Sequence, residues 1–227
     1  MSTKNSKNYS NESVKEYYHS TGLYDSIIYK KNKTNQNLPK EEIIENLLLK
    51  NKKLSNKVTG TNKKIILSNK NYKSKIMVLG DMPSQKDIDN NELFSDDSGE
   101  LLTKMLGAIS IDSSQVYLAN IIPFYLTKEE SKNIKKYNSL LRKIVHEHIS
   151  AINPETILLL GSFALQTLFG EEYSIAKNRG QWLSYSAANN SINIIPSFHP
   201  TFLIKQPSQK KKSWEDLQEL QKKLNNA

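Results

Sequence analysis

The stretch Lys75-Ile-Met-Val-Leu-Gly80-Asp-Met-Pro-Ser84 decides how this chain is read. An apolar run this short, stopped by Gly, has the signature of a buried parallel strand ending in a tight turn. Ligand groups gather at the strand tips of open α/β sheets, so the carboxylate of Asp81, the rigid Pro83 and the small hydroxyl of Ser84 mark a candidate site. An ordinary βα loop would have the same composition.

Downstream of this stretch, strands and helices alternate. Gly99 to Ile109 has helical spacing with Leu101, Leu102, Met105, Leu106 and Ile109 turned inward. Val116 to Ile122 is a second strand, Lys128 to Ile152 a long helix ended by Asn153-Pro154, and Thr156 to Leu160 a third strand. Gly161-Ser162 turns into a helix over Phe163 to Phe169, and Ile192 to Ile195 is a fourth strand ended by Pro196. Such alternation predicts an α/β three-layer sandwich with a central, mostly parallel four-stranded sheet flanked by helices. At the end, Ser213 caps a helix whose Trp214, Leu217, Leu220 and Leu224 pack back on the sheet.

Upstream, a helix from about Pro39 carries Ile43, Ile44, Leu47 and Leu48 on one face, with Glu41 and Glu42 in its first turn. Asn51 to Asn71 is a Lys/Asn-rich connection around Ile65-Ile-Leu67, ordered in part. Met1 to Glu12 reads as a disordered tail, Val14 to Ile28 as a small helical hairpin broken at Gly22, and Lys30 to Lys40 as linker, leaving residues 41–227 as the folded domain.

Composition bounds the function. The formal charge of +9 and pI near 9.4 allow an anionic partner such as nucleic acid. All but two of the 32 basic residues are Lys, and Asn is abundant, so a genome rich in A and T explains part of that charge. With no Cys, disulfides and thiolate-held zinc or iron–sulfur clusters are excluded. No apolar run approaches the ~20 residues of a membrane span. The polar Met1-Ser-Thr-Lys start lacks the apolar region of a signal peptide, which places the protein in the cytoplasm. His146 and His148 lie two apart on a helix, hence on different faces, so no metal site is expected there. Gly161-Ser-Phe-Ala is half of a nucleotide loop without the glycine fingerprint, and Lys210-Lys-Lys212 reads as a solvated face.

Four segments, taken together, carry a family likeness. They are the Gly80-Asp-Met-Pro-Ser-Gln-Lys-Asp87 loop with Leu93-Phe94 and Gly99-Glu-Leu-Leu102, the strand end Asn120, Lys177-Asn-Arg-Gly-Gln-Trp182, and Ser197-Phe-His-Pro-Thr-Phe-Leu203. This set resembles the uracil-DNA glycosylase superfamily, specifically its family 4 and the related phage-polymerase-like branch. That family has a Gly-Glu-Ala-Pro-Gly loop, Pro-Phe-Val-Gly followed by Ala-Gly-x-Leu-Leu, a Thr-Asn strand end, a Leu-Arg-Gly-x-Trp element and a late His-Pro-x-x-Leu loop. The likeness covers roughly Ile43 to Leu224. The departures are specific. Asp81 replaces Glu, Met82 replaces Ala, Ser84 replaces Gly, and Asp96 stands at the Gly of Phe-Val-Gly. An Arg-rich run has become Phe124-Tyr-Leu-Thr127. Family 4 members carry four Cys on a [4Fe–4S] cluster, whereas here Phe124 and Tyr137 stand where two of them fall, so the likeness implies the fold without the cluster and without other cofactor.

The resemblance implies cleavage of an N-glycosidic bond after the base is flipped from the stack. Uracil-containing DNA is the expected partner, bound by a monomer. His199 would donate to uracil O2 as negative charge develops on the leaving base, although a His at a strand end is often merely packed. Asn120 would accept from N3–H and donate to O4, a pattern cytosine reverses; a turn residue is the plainer reading. Phe94 offers a stacking face, or core packing. Asp81 or Asp87 would hold the attacking water and offset sugar charge, or simply be solvated. Gly80, Met82, Pro83 and Ser84 complete the base-side loop. Pro83-Ser84, Pro196-Ser197 and Arg179 are candidate phosphate contacts, Pro200 adjoins His199 in the DNA-binding loop, and Phe202-Leu203 is a candidate wedge in the vacated stack.

Overall fold

A computed structural model describes residues 40–187 and 190–226, with five strands in the order β2-β1-β3-β5-β4. The tail, hairpin and linker expected over residues 1–39 lie outside the described residues. The strands are β1 (Ile76–Gly80), β2 (Tyr117–Asn120), β3 (Thr156–Leu160), β4 (Leu183–Ala187) and β5 (Asn190–Ser197). Pairings among β2, β1, β3 and β5 are parallel, and β4 adds to β5 antiparallel. The α/β architecture stands as expected from the sequence, with one edge strand more than the four anticipated.

Nine helices of α type are described: α1 (Lys40–Thr59), α2 (Gln85–Asn90), α3 (Asp97–Gly107), α4 (Lys128–Ser131), α5 (Asn138–Ile152), α6 (Ser162–Phe169), α7 (Ile175–Asn178), α8 (Pro200–Lys205) and α9 (Lys210–Asn225). They cover both sheet faces from Ile43 onward in one compact unit. Side chains alternate across a strand, so β1 sends Met77 and Leu79 to one core and Val78 to the other. The first core adds Leu47, Leu54, Tyr117, Phe124, Leu141 and Ile149, whereas the second joins Leu102, Leu106, Leu203, Leu217 and Leu220. β3, at the centre, is buried throughout.

Several boundaries moved for physical reasons. α1 continues to Thr59, through the start of the expected connection, where the buried Asn51 Nδ2 and Ser55 hydroxyl donate to Leu47 O and Lys52 O of the helix itself. The long helix expected over 128–152 is interrupted. α4 has its own capping box between Thr127 and Glu130, and a 3₁₀ turn (Ile134–Tyr137) buries Ile134 while the Tyr137 hydroxyl donates to Lys57 O. β5 runs on through Pro196, which a strand tolerates here because β4 pairs no further than Ile194 and demands no N–H beyond it. α9 starts at Lys210, four residues before the start that a Ser213 cap implies, and buries Ser213, Asp216, Leu217 and Leu220, while Trp214, at the margin of that face, is 39 % exposed instead of packed on the sheet.

The open edge of β2 is covered. Asn69 Oδ1 accepts from Leu118 N and Asn69 Nδ2 donates to Val116 O, so a side chain completes the ladder that another strand would otherwise find. No helix among the described residues is long and apolar enough to cross a membrane.

Candidate active site

The carboxyl edge of the sheet gathers the polar groups. Gly80 and Asn120 are register partners at the tips of β1 and β2, while His199 lies two residues past the end of β5. A β-carbon added to Gly80 would meet Asn120 Oδ1 at 2.5 Å, Phe94 Cζ at 3.0 Å and His199 Nε2 at 3.5 Å. Residues from three separate segments thus converge on one α-carbon, and only Gly leaves room for them.

The loop that delivers Phe94 has its own demands. Phe94 has φ 56°, a left-handed conformation that turns its ring toward His199, with centroids 6.2 Å apart and planes 27° from parallel. Gly99, in the first turn of α3, presses on this loop so closely that a β-carbon would lie 1.6 Å from Phe94 O. Asp96, a departure from the family pattern, caps α3 by accepting from Ser98 N and Gly99 N, so its role is to anchor the same turn.

His199 is held in a defined tautomer. Its Nδ1 accepts from Thr201 N at 3.2 Å as the N-cap of α8, so the ring proton sits on Nε2. Burial pushes its pKa down to about 4, with Asp96 and Asp87 pulling weakly the other way, so the ring is neutral at physiological pH. Nε2 is buried with no partner, and so is Asn120 Oδ1. Six buried side-chain polar atoms lack partners among the described residues, and these two border the same glycine. An unpaired buried donor and an unpaired buried acceptor, side by side against an aromatic ring, fit a planar amide-like ligand that offers the complementary groups.

Asp81, next to Gly80, turns toward the segment that follows β3. Its Oδ1 accepts from Ala164 N at 2.9 Å in the first turn of α6, and Gly161 (φ 98°) lies so close that a β-carbon would fall 2.9 Å from Oδ2. Burial raises the carboxyl to about 7, against the pull of the Ala164 N–H. The sequence marked this turn, Gly161-Ser162, only as half of a nucleotide loop; in the fold it lies against the Asp81 carboxylate.

Other expected site residues are engaged elsewhere. Asp87 is buried and accepts from Ser84 N at Oδ2 and from Ser95 N and the Ser95 hydroxyl at Oδ1, which makes it the clamp of the α2 loop. Ser84 caps α2 in return, Pro83 is buried beside it, and Met82 packs on the first core. Ser197 is fully buried and donates to Asp216 Oδ2 at 2.6 Å, which removes it from any DNA-facing surface. Arg179 pairs with Asp216 at 2.6 Å and is only 15 % exposed, so it is turned inward and away from phosphate. Leu203 is buried in the second core and cannot act as a wedge, whereas Phe202, against Phe198 at 4.9 Å, is 40 % exposed. Pro200 is buried as the first residue of α8. Asp216 was missed, because a lone acid in an amphipathic helix carries no local sign of burial.

Comparison with known proteins gives this edge a context. The chain is similar to the type-4 uracil-DNA glycosylase of Archaeoglobus fulgidus, 25% identical over 141 residues, which span 60% of this chain and 70% of that protein. It is similar to the type-4 uracil-DNA glycosylase of Thermotoga maritima, 27% identical over 149 residues, or 63% and 73% of the two chains. The enzyme of the same name from Saccharolobus solfataricus is 25% identical over 163 residues, 68% of this chain and 73% of its own. The family model for the Uracil DNA glycosylase superfamily matches residues 68–218, more than half of the chain and all of the sheet edge just described, and the protein belongs to that superfamily.

Proposed function

We propose that the protein is a uracil-DNA glycosylase that hydrolyses the N-glycosidic bond of uracil in DNA. The observation that carries this reading is the pair of orphan atoms, Asn120 Oδ1 and His199 Nε2, set beside Phe94 around the bare α-carbon of Gly80. Uracil flipped into this cleft stacks on Phe94, gives N3–H to Asn120 Oδ1 and receives the His199 Nε2–H at O2. Cytosine presents no N3–H and leaves Asn120 Oδ1 unpaired, a loss that supports strong discrimination.

Bond cleavage leaves negative charge on the base and positive charge on the sugar. His199, neutral with its proton on Nε2, strengthens its hydrogen bond to O2 as that charge grows and need not transfer the proton. The Asp81 carboxylate, once ionised, orients the attacking water and offsets charge on the sugar. Exposed Phe202 enters the space left by the base, while the Lys-rich surface holds the phosphates.

The cluster of family 4 relatives has no ligands here, since the chain contains no cysteine, and neither the buried Phe124 nor the half-buried Tyr137 can bind iron as a thiolate does. No step of the mechanism uses iron. The protein acts as a monomer on DNA inside the cell.

The deciding experiment incubates the protein with a uracil-containing oligonucleotide and breaks abasic sites with alkali, with cytosine and thymine oligonucleotides as controls. Cleavage confined to the uracil strand is expected. DNA binding without cleavage would instead indicate a non-catalytic homologue of the same fold, the reading favoured by a carboxylate at position 81 that is partly protonated near neutrality.

A further inference from the structure

The exit of β5 is held by a buried polar network that the chemistry above does not use. Ser197 Oγ donates to Asp216 Oδ2 at 2.6 Å and lies 3.3 Å from Ser213 Oγ. Arg179 Nε donates to the same Oδ2 at 3.1 Å, Arg179 Nη2 lies 2.6 Å from Asp216 Oδ1, and Arg179 also donates to Lys212 O. The guanidinium lies over the Phe198 ring, 5.7 Å from its centroid. The next residue, Gly180, gives its N–H to Pro196 O at 2.9 Å, and with φ 70° it approaches Asp216 so closely that a β-carbon would sit 2.5 Å from Oδ1. From the β3 side Gly161 N donates to Ser197 O at 3.0 Å.

Residues Pro196, Ser197 and Phe198, immediately before His199, are therefore gripped from α9, from the Arg179-Gly180 turn and from β3. Burying an ion pair is a poor way to gain stability, because desolvation offsets most of the attraction and apolar packing does the same work. What directed hydrogen bonds add is a fixed rotation of the strand tip. An imidazole two residues further on inherits that rotation, and small errors in the placement of a catalytic group are costly. Burial raises the Asp216 carboxyl, while Ser197 and Arg179 draw it back toward the ionised form.

We infer that Asp216, with Ser197 and Arg179, is a positioning network that aims His199 Nε2 at the base. It is a role in geometry, with no contact to substrate, and it rests on the reading of His199 as the donor to uracil O2. Ser197→Ala removes the hydroxyl and little volume, and Asp216→Asn keeps the shape while removing the charge.

Single-turnover excision is measured for each variant in the wild-type and in the His199→Ala background, together with affinity for an uncleavable uracil analogue in DNA. The expected result is a rate lowered about 10-fold or more in the wild-type background, unchanged affinity, and no further loss once His199 is gone. Equal losses in both backgrounds would overturn the inference, as would a wild-type rate in Ser197→Ala. An independent readout is the ¹H–¹⁵N signal of the His199 imidazole, assigned by its disappearance in His199→Ala. It should shift in Ser197→Ala and in Asp216→Asn, and an unmoved signal would refute the network's hold on the ring. If the unaltered protein excises no uracil, the proposed function fails by itself and the imidazole signal alone decides the inference. Should Asp216→Asn not fold, Ser197→Ala carries the test.

Discussion

His148 on α5 and His199 past the tip of β5 share a pKa pushed down to about 4 by burial, yet they sit in opposite kinds of surroundings. His148 Nε2 lies 2.6 Å from the Tyr117 hydroxyl, and Tyr117, like Phe124 elsewhere in the first core, is fully enclosed. His199 Nε2 is equally shielded and meets nothing. Burial and a depressed pKa therefore do not separate a packed histidine from one that waits for a ligand. The unpaired atom does, because leaving a polar group buried without a partner costs more than any gain from shielding it. The region around His148 should answer for stability and the region around His199 for rate.

The largest break in that contrast comes from the packed side. Phe124 has no exposed surface, and we propose that its packing does the work a metal cluster would otherwise do. Its truncation in Phe124→Ala should cost on the order of 3–5 kcal/mol of folding free energy by denaturant titration. The unaltered protein should be colourless, free of iron and indifferent to chelators. Unchanged stability in Phe124→Ala would mean that aromatic packing does not stand in for the cluster.

His199→Ala should do the reverse. Excision is expected to fall by about 10²-fold or more with affinity for uncleaved DNA nearly intact, as for a group that acts mainly in the transition state, and with stability lowered by no more than the loss of the α8 cap, about 1 kcal/mol. Excision at the wild-type rate would remove His199 from the mechanism.

A smaller effect isolates the partner alone. Tyr117→Phe leaves the ring in place and strips His148 Nε2 of its hydrogen bond, turning a satisfied histidine into an orphan. A loss of about 1–3 kcal/mol in stability is expected, with single-turnover excision unchanged. A matching drop in rate would show that the two regions are coupled through the sheet.

These contrasts also explain what could be read from the sequence. The convergence of Gly80, Phe94, Asn120 and His199 was legible because strand tips and the loops that follow them bring these residues to one edge of the sheet. Arg179, Ser197 and Asp87 were misread because each is paid off by a buried group whose position only the fold reveals: Asp216 for the first two, and the backbone of the Phe94 loop for Asp87. β4 went unseen although Leu183-Ser-Tyr-Ser-Ala187 alternates in and out as an edge strand should, because five residues with two serines resemble a loop. Trp214 shares helical spacing with Leu217 and Leu220 but lies at the margin of their face, about 60° round the helix from Leu217, and spacing alone does not show where that face meets solvent.

The finest test uses pH, because Asp81 and His199 titrate far apart. His199, at about 4, stays neutral throughout the working range, so it contributes no limb to the rate profile above pH 5. Asp81, raised to about 7 by burial, must lose its proton to orient water, so the single-turnover rate should fall about tenfold for each pH unit well below 7 and level off above it. Stability runs the other way. A carboxyl with a folded pKa above the ordinary 3.8 binds its proton more tightly when folded, so its contribution is fully present below pH 3.8 and is lost as pH rises through 7. Asp81→Asn keeps an oxygen for the Ala164 N–H and has no charge to bury. It should be slower than wild type at pH 8, flat across the pH profile, and more stable than wild type above pH 7, with that advantage shrinking as pH falls toward 4. A variant that still shows the limb near 7 would assign it to another group, and one that is less stable at pH 8 would show that the Asp81 carboxylate holds α6 in place more than burial penalises it.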